Sequence, residues 1–417
     1  MRVALIGPVP PRLGGTTPGG VATHQVHLAA GLASAGIEAP LLATNTRGEP
    51  MTWKVKPDEV DFPLYRMARP GRARRDYLAT IGARHVARYA AYLATRRRAG
   101  SRREMLADLL WYRHFLATLR PDIIHVQHPL ERATYVRLVQ HFEGWRLPVV
   151  ITAHSLFGEH DVATIETLMA PNLRAADRVI AVSGHIADQA VQLGIDRQRV
   201  AVIRSGVDLE RFSVRDRAAA RRARGIDDAT CLVLFVGNLE PRKQVDVLLQ
   251  AMVDVRRQVP TAELFVVGSG ESAGAQDQTA HLLRLSQDLA LAQVVHFVGR
   301  VEDSALLDFY TAADVFALPS TSEAQGIVAL EAMACGLPVV ATAVGGLLDT
   351  IQDGRTGYLV PSGDVGALAR ALLLVLEDEP HRQTIAAAAR QSVERNFSWP
   401  ASIAATIEVY RDVLACR

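Results

Sequence analysis

Short runs of β-branched and aliphatic residues recur along the chain, separated by longer stretches whose apolar positions repeat every three to four residues. The short runs read as strands buried on both faces, and the stretches between them as helices that cover those faces. In the first half this predicts strands at Arg2–Ile6, Ala39–Ala43, Ile123–Val126, Val149–Thr152 and Val179–Val182. In the second half it predicts Cys231–Val236, Glu263–Val267, Val294–Phe297, Val315–Leu318, Val339–Ala341 and Tyr358–Val360. Alternation of this kind is the mark of an α/β protein with parallel sheets, here two doubly wound, Rossmann-like units. The boundary falls near residue 200, which gives a first domain over 1–200 and a second over 201–395, followed by a helical tail over 396–417.

Composition narrows the picture. The chain has 417 residues, enough for two domains of ordinary size, and 49% hydrophobic residues, enough for a core in each. A net charge of +2 gives no general attraction to nucleic acid. The three cysteines, Cys231, Cys335 and Cys416, show neither disulfide nor metal spacing, which fits a reducing compartment. Met1–Arg2 leads straight into the first strand, and no apolar run reaches spanning length, so the expectation is a cytoplasmic protein without a transmembrane segment. No pattern specifies an oligomeric state.

One region departs from the plain doubly wound pattern. Between Arg66 and Arg113 thirteen arginines stand against three acids, interleaved with Tyr77, Tyr89, Tyr92 and Trp111. The segment, about 66–113, reads as one or two helices inserted after the second strand. It is either a solvated basic face, a cover over an acceptor site, or a patch for an acidic acceptor or membrane surface. The arginines do not segregate opposite an apolar face, so peripheral membrane contact is not favoured.

The densest chemistry lies in the second half. Glu323 sits in a loop after the strand Val315–Leu318, and Gly326 opens a helix over Ile327–Cys335 that Gly336 ends. Free N–H groups at a helix start suit a phosphate. A carboxylate beside that start can accept from sugar hydroxyls, and Glu331, two turns on, can reach a ribose. The layout suits a sugar joined to a nucleotide through a diphosphate. An N-capping Glu and an ordinary surface Glu are the plainer reading of the same pair.

The stretch from Glu323 to Pro361 resembles the signature of retaining glycosyltransferases of family 4, which have the GT-B fold. The matching elements are the two glutamates, the helix EAMACGLPVVAT, the Val344–Gly345–Gly346 turn and Asp353-Gly354-x-x-Gly357-x-Leu359-Val360. The resemblance implies two Rossmann-like domains facing a central cleft. It also implies that Glu323 holds the transferred sugar, that Glu331 holds the ribose, and that the amides of Gln325, Gly326 and Ile327 bind the donor. Ala324–Gln325–Gly326 replaces the family's usual Pro-Phe-Gly. Val202–Phe212 resembles the family's inter-domain linker, with Ser205 in place of an Asn. The tail from Phe397 resembles a closing helix that returns to the first domain.

Four further motifs take meaning from that resemblance. Gly19–Gly20, between the first strand and a helix Val21–Ala35, resembles a first loop that faces donor phosphate and acceptor. Val236–Gly237–Asn238–Leu239–Glu240–Pro241–Arg242–Lys243 resembles a Gly-Arg-Leu-x-x-x-Lys clamp on the diphosphate. Lys243 falls on its Lys and Asn238 on its Arg, with Arg242 as a neighbouring source of charge. Only three lysines occur against 43 arginines, so a lysine on a motif position carries weight. At a helix start it would also oppose the macrodipole. Asp122–Pro129 resembles a His-x-His strand end, with Gln127 at the second His position and His128 next to it. His154 ends the following strand. His125 reads as a half-buried strand histidine. Phe297–Gly299–Val301 resembles the turn that takes the nucleotide base, and Val267–Gly270 lies one strand away.

No Asp-x-Asp and no His/Cys cluster of ligand spacing occurs, so neither metal nor other cofactor is expected. Glu323, Lys243 and His128 are the expected catalytic residues. Gly20, Asn238, Arg242, Val301, Gln325, Gly326, Ile327 and Glu331 join Glu323 and Lys243 on the donor; Gly19, Gln127, His128 and His154 lie on the acceptor side. The expected activity is metal-independent transfer of a sugar from a UDP- or GDP-sugar to a small-molecule or natural-product acceptor, with retention. The alternatives are a nucleotide-sugar epimerase or hydrolase on the same fold, and a catalytically silent binding protein.

Overall fold

The computed structural model describes residues 1–10, 13, 20–44, 62–66, 83–94, 102–270 and 277–416. The chain divides into two compact units. The first takes Met1–Val182, Ile186–Ile203 and Ile403–Arg417; the second takes Ser183–His185 and Arg204–Ser402.

The strands of the first unit are β1 (Val3–Gly7), β2 (Leu41–Ala43), β3 (Leu64–Arg66), β4 (Ile123–Gln127), β5 (Val149–Ala153), β6 (Leu156–His160), β7 (Arg178–Ala181) and β8 (Val200–Val202). Seven of them form one sheet in the order β3-β2-β1-β4-β5-β7-β8, and every pairing is parallel. The second unit holds β9 (Cys231–Val236), β10 (Ala262–Val267), β11 (Val295–Gly299), β12 (Val315–Leu318), β13 (Val339–Thr342) and β14 (Tyr358–Val360). Its sheet runs β11-β10-β9-β12-β13-β14, again parallel throughout. Helices cover both sheets, so the central strands Val3–Ile6 and Leu232–Phe235 are fully buried. This is why their sequence reads as unbroken apolar runs rather than as alternation.

Three strands of the first unit escape the hydrophobic pattern. β3 and β8 are three-residue edge strands, and β6 lies outside the sheet. The two edge strands are too short to leave a periodic signal, and β6 has only Leu156 and Phe157 as apolar residues before Gly, Glu and His. The Arg-rich segment resolves into helices Ala83–Ala94 and Arg102–Leu119, with 67–82 and 95–101 outside the described residues. Its described aromatics face inward: Tyr89, Trp111, Tyr112 and Phe115 are buried. Tyr89 donates to Glu143 at 3.1 Å, and Arg113 pairs with the same carboxylate at 3.1 Å. Of its arginines whose side chains are described, Arg88 is exposed and Arg113 half-buried.

In each sheet the chain first builds outward on one side and then returns to build on the other. The order reverses between β1 and β4 in the first unit and between β9 and β12 in the second. A crevice opens at such a reversal, beyond the carboxyl ends of the strands, because the connections on either side lead away in opposite directions. The loops after β4, β9 and β12 carry the motifs singled out in the sequence.

Candidate active site

In the second unit β9 ends at Val236, and Pro241–Lys243 forms a 3₁₀ turn rather than the start of the next helix. Gln244 lies in the left-handed region at φ 46° and separates that turn from helix Val245–Gln258. Lys243 therefore precedes the helix instead of standing on its first turn, and it is buried. Its Nζ meets Glu323 Oε1 at 2.5 Å, across 80 residues of sequence. Ser320 Oγ donates to the same oxygen at 2.8 Å. Oε1 thus takes both bonds, and Oε2 has no hydrogen-bond partner among the described residues. Burial alone would raise the Glu323 carboxyl, but the Lys243 ammonium outweighs it and holds the group below the usual carboxylate range, with Arg242 and the Ser320 hydroxyl adding to the effect. Arg242 stands beside the same loop. Its guanidinium pairs with Glu240 at 2.7 Å, and its carbonyl accepts from Thr321 N at 2.8 Å.

The loop Ser320–Gly326 is held by backbone at close quarters. Gly346 N donates to Glu323 O at 2.8 Å. A Cβ on Gly345 would stand 2.1 Å from Glu323 O, and one on Gly346 2.1 Å from Ala324 O. Only glycine lets the two segments come this near. Gly326 itself is left-handed at φ 80° and caps helix Ile327–Ala334, which has no side-chain cap. The first N–H groups of that helix therefore have no side-chain acceptor. The Gln325 side chain is bound to the main chain of Ser205.

Glu331, on the same helix, is half-buried and accepts from Tyr310 Oη at 2.9 Å. Burial pushes its carboxyl up to about 7, against the Tyr310 hydroxyl and Arg211, with Asp303 adding to the rise. Gly237, Gly268 and Gly299 end β9, β10 and β11 side by side: Gly237 N donates to Val267 O at 3.0 Å, and Gly268 N to Gly299 O at 2.8 Å. Asn238 and Val301 follow two of these turns and are half-buried.

In the first unit β4 ends in a row of polar groups. His125 is fully buried rather than half-buried, since its strand lies in mid-sheet. Its Nδ1 meets Tyr410 Oη at 2.6 Å and its Nε2 meets Thr152 Oγ1 at 2.7 Å. Gln127, also fully buried, joins His125 to His154: its Nε2 lies 3.3 Å from His125 Nε2 and its Oε1 2.8 Å from His154 Nε2. His128 is different. Its φ of 92° is unusual for a residue with a side chain, and Asn172 Nδ2 holds the following turn by donating to Pro129 O and Leu130 O, at 2.9 and 3.0 Å. His128 Nε2 meets Ser155 Oγ at 3.0 Å, while its Nδ1 is buried without a partner. Burial, followed by the nearby His160 and Arg132, pushes the imidazole down to about 3, so it is neutral at physiological pH. His154 is likewise driven well below the ordinary value by burial among His24, His128 and His125. Gly20 begins helix Gly20–Ser34; Gly19 lies outside the described residues.

Pattern reading missed Ser320, Tyr310, Tyr410 and Asn172. Each acts on a candidate residue through the fold, and none stands in a recognisable motif. Only Ser320, just past a strand end at the reversal of the sheet, left a positional clue. Among the described residues no group of three or more His, Cys, Asp or Glu could hold a metal ion, and no helix is long and apolar enough to cross a membrane.

The family model described as Glycosyl transferases group 1 matches residues 216–392, and that described as Glycosyltransferase Family 4 matches residues 18–211. The D-inositol 3-phosphate glycosyltransferase 2 of Catenulispora acidiphila is 39% identical over 285 residues, which cover 64% of this chain and 66% of that protein, just under two thirds of its length. Sucrose-phosphate synthase from Thermosynechococcus elongatus has a TM-score of 0.80 at 24% identity, with 100% of both chains covered. Anabaena HepE, solved in complex with UDP, has a TM-score of 0.74 at 20% identity and covers 99% of this chain and 100% of its own. These two solved structures share the fold.

Proposed function

Since the chain belongs to the group 1 glycosyltransferases, with the GT-B fold, we propose that it moves a sugar from a nucleoside diphosphate sugar to a small hydroxylated acceptor, with retention and without a metal ion. The observation that carries this reading is the buried Lys243–Glu323–Ser320 cluster beside the helix that Gly326 opens. An ammonium has three N–H donors. Glu323 takes one, which leaves two for diphosphate oxygens. The helix start and Arg242 add positive potential where charge grows on the leaving group. Glu323 Oε2 accepts from a hydroxyl of the transferred sugar. Glu331 binds the ribose, Val301 and the glycine turns line the base, and Asn238 contributes a neutral hydrogen bond. The diphosphate departs while the acceptor hydroxyl attacks the same face, and its proton passes to a leaving-group oxygen.

On the acceptor side His128 is the better candidate than Gln127. The Gln127 amide is committed to His125 and His154, whereas His128 keeps a buried, unpaired Nδ1 for a ligand hydroxyl. Gly19 and His154 complete that side, and Gly20 faces the donor. The curated relative's name makes D-inositol 3-phosphate the first acceptor to try, and HepE makes UDP the first nucleotide. We place the enzyme in the cytoplasm.

The test is turnover against a panel of UDP- and GDP-sugars with that acceptor, in the presence of EDTA, with Lys243→Ala as control. Wild type should release nucleoside diphosphate and form a retained-configuration glycoside at a rate EDTA does not alter. Release from donor alone at the full rate would instead indicate a hydrolase or epimerase. Equal, slow release by wild type and variant would indicate a binding protein.

A further inference from the structure

The side chain of Gln325 does something no motif records. It is buried, and its amide closes a two-bond ring on a single residue: Ser205 N donates to Gln325 Oε1 at 2.9 Å, and Gln325 Nε2 donates to Ser205 O at 2.9 Å. Ser205 is buried too, and it lies two residues after Ile203, the last residue of the segment Ile186–Ile203 in the first unit. The donor and acceptor of a primary amide lie in one plane and match the N–H and C=O of one extended residue, as a neighbouring strand would. On the other side, the loop carrying Glu323 rests on the Gly345–Gly346 turn, and Thr350 Oγ1 donates to Gln325 O at 3.0 Å. The loop is therefore held from several sides. The Gly345–Gly346 support is backbone; the Ser205 support depends on one side chain.

We propose that Gln325 is a positioning residue: its amide clamps the main chain of Ser205 and so holds the Ser320–Ile327 loop where the Glu323 carboxylate stays on Lys243. This rests on the reading of Glu323 as the sugar-binding carboxylate, and it adds to the expected donor contact of the Gln325 backbone a role for its side chain that does not touch the donor. Loss of the amide removes two bonds from buried main-chain groups of Ser205, a cost that the segment can lower by moving. Lys243 itself lies on another segment, so sugar orientation through Glu323 suffers more than nucleotide affinity, although the Gly326 helix start moves with the loop.

Two variants test it. Gln325→Met keeps the volume and removes both bonds. Gln325→Glu keeps the acceptor, but as a carboxylate it repels Ser205 O; protonated, it can both donate and accept, so it regains the ring as pH falls. In the ligand-free protein, hydrogen exchange should quicken for Gln325→Met in peptides spanning 204–207 and 320–330, and match wild type elsewhere in the second unit. For Gln325→Glu that local protection should return between pH 8 and pH 5, and for Gln325→Met it should not. In turnover, Gln325→Met should lose at least tenfold in kcat, and lose more in kcat than in affinity for UDP or GDP, whichever binds wild type. Wild-type exchange in both segments of Gln325→Met, or faster exchange spread over the whole unit, would overturn the proposal. The exchange experiment needs no activity, so failure of every donor in the turnover assay counts against the proposed function and leaves the exchange result to decide the clamp.

Discussion

At the scale of single residues, Lys243 and Glu323 show how burial and charge decide a protonation state. Each side chain is 9% exposed, and each makes the other's charge tolerable. Lys243→Ala should therefore cost more than a surface pair would, roughly 3 kcal/mol of stability, because it leaves a buried carboxylate without its cation. Adding Glu323→Gln to it should recover part of that loss in a denaturant-unfolding cycle. For the proposed reaction, turnover of Lys243→Ala should fall by about 10² or more, since a departing diphosphate would lose its main partner. Glu331 is the opposite case. Its folded carboxyl titrates near 7, above the ordinary 4.5, so the folded state binds this proton more tightly than the unfolded chain does. That contribution is complete below about pH 4.5 and is lost as the pH rises through 7. Unfolding midpoints measured from pH 5 to pH 8 should fall less steeply for Glu331→Gln than for wild type.

At the scale of elements, the site is a matter of what stands at strand ends. The short loops after β9 and β12 bring Lys243 and Glu323 together because those strands are neighbours at the reversal of the sheet. The Gly345–Gly346 turn supports the second loop by lying too near for any side chain. Gly346 has an ordinary helical φ of −71°, so Gly346→Ala brings the clash with Ala324 O without backbone strain. It should cost about 1–3 kcal/mol, as overpacking does, and should lower kcat at least tenfold by shifting the Glu323 loop; thermal melts and initial rates check the two effects separately. The tight turn was legible in the sequence as Gly-Gly, and the helix that Gly326 opens as an apolar run. The contact of that turn with Glu323 was not, since nothing local records which backbone another segment approaches.

At the scale of the whole molecule, each unit carries the same plan, and the last fifteen residues belong with the first unit although they follow the second in sequence. Two contacts tie them there. A Cβ on Gly31 would stand 1.8 Å from Ile403 Cδ1, and Tyr410 Oη lies 2.6 Å from His125 Nδ1 in mid-sheet. Tyr410→Phe should leave that buried ring nitrogen unpaired and cost about 1–3 kcal/mol. A two-transition denaturation curve should show the loss in the first unit alone, with the second transition unchanged.

The order of local residues decided the α/β class, the two units, most strands and the turn positions, because propensity, apolar periodicity and glycine act over a few neighbouring residues. The motifs decided the family for the same reason: they are contiguous. Tertiary structure alone decided that Lys243 meets Glu323 across 80 residues, that Gln325 grips Ser205, that Tyr310 bears on Glu331, and that Gln127 is spent within the sheet while His128 keeps a nitrogen to offer. Each of these depends on burial and on distances set by sheet order, and neither is written in a residue's neighbours along the chain.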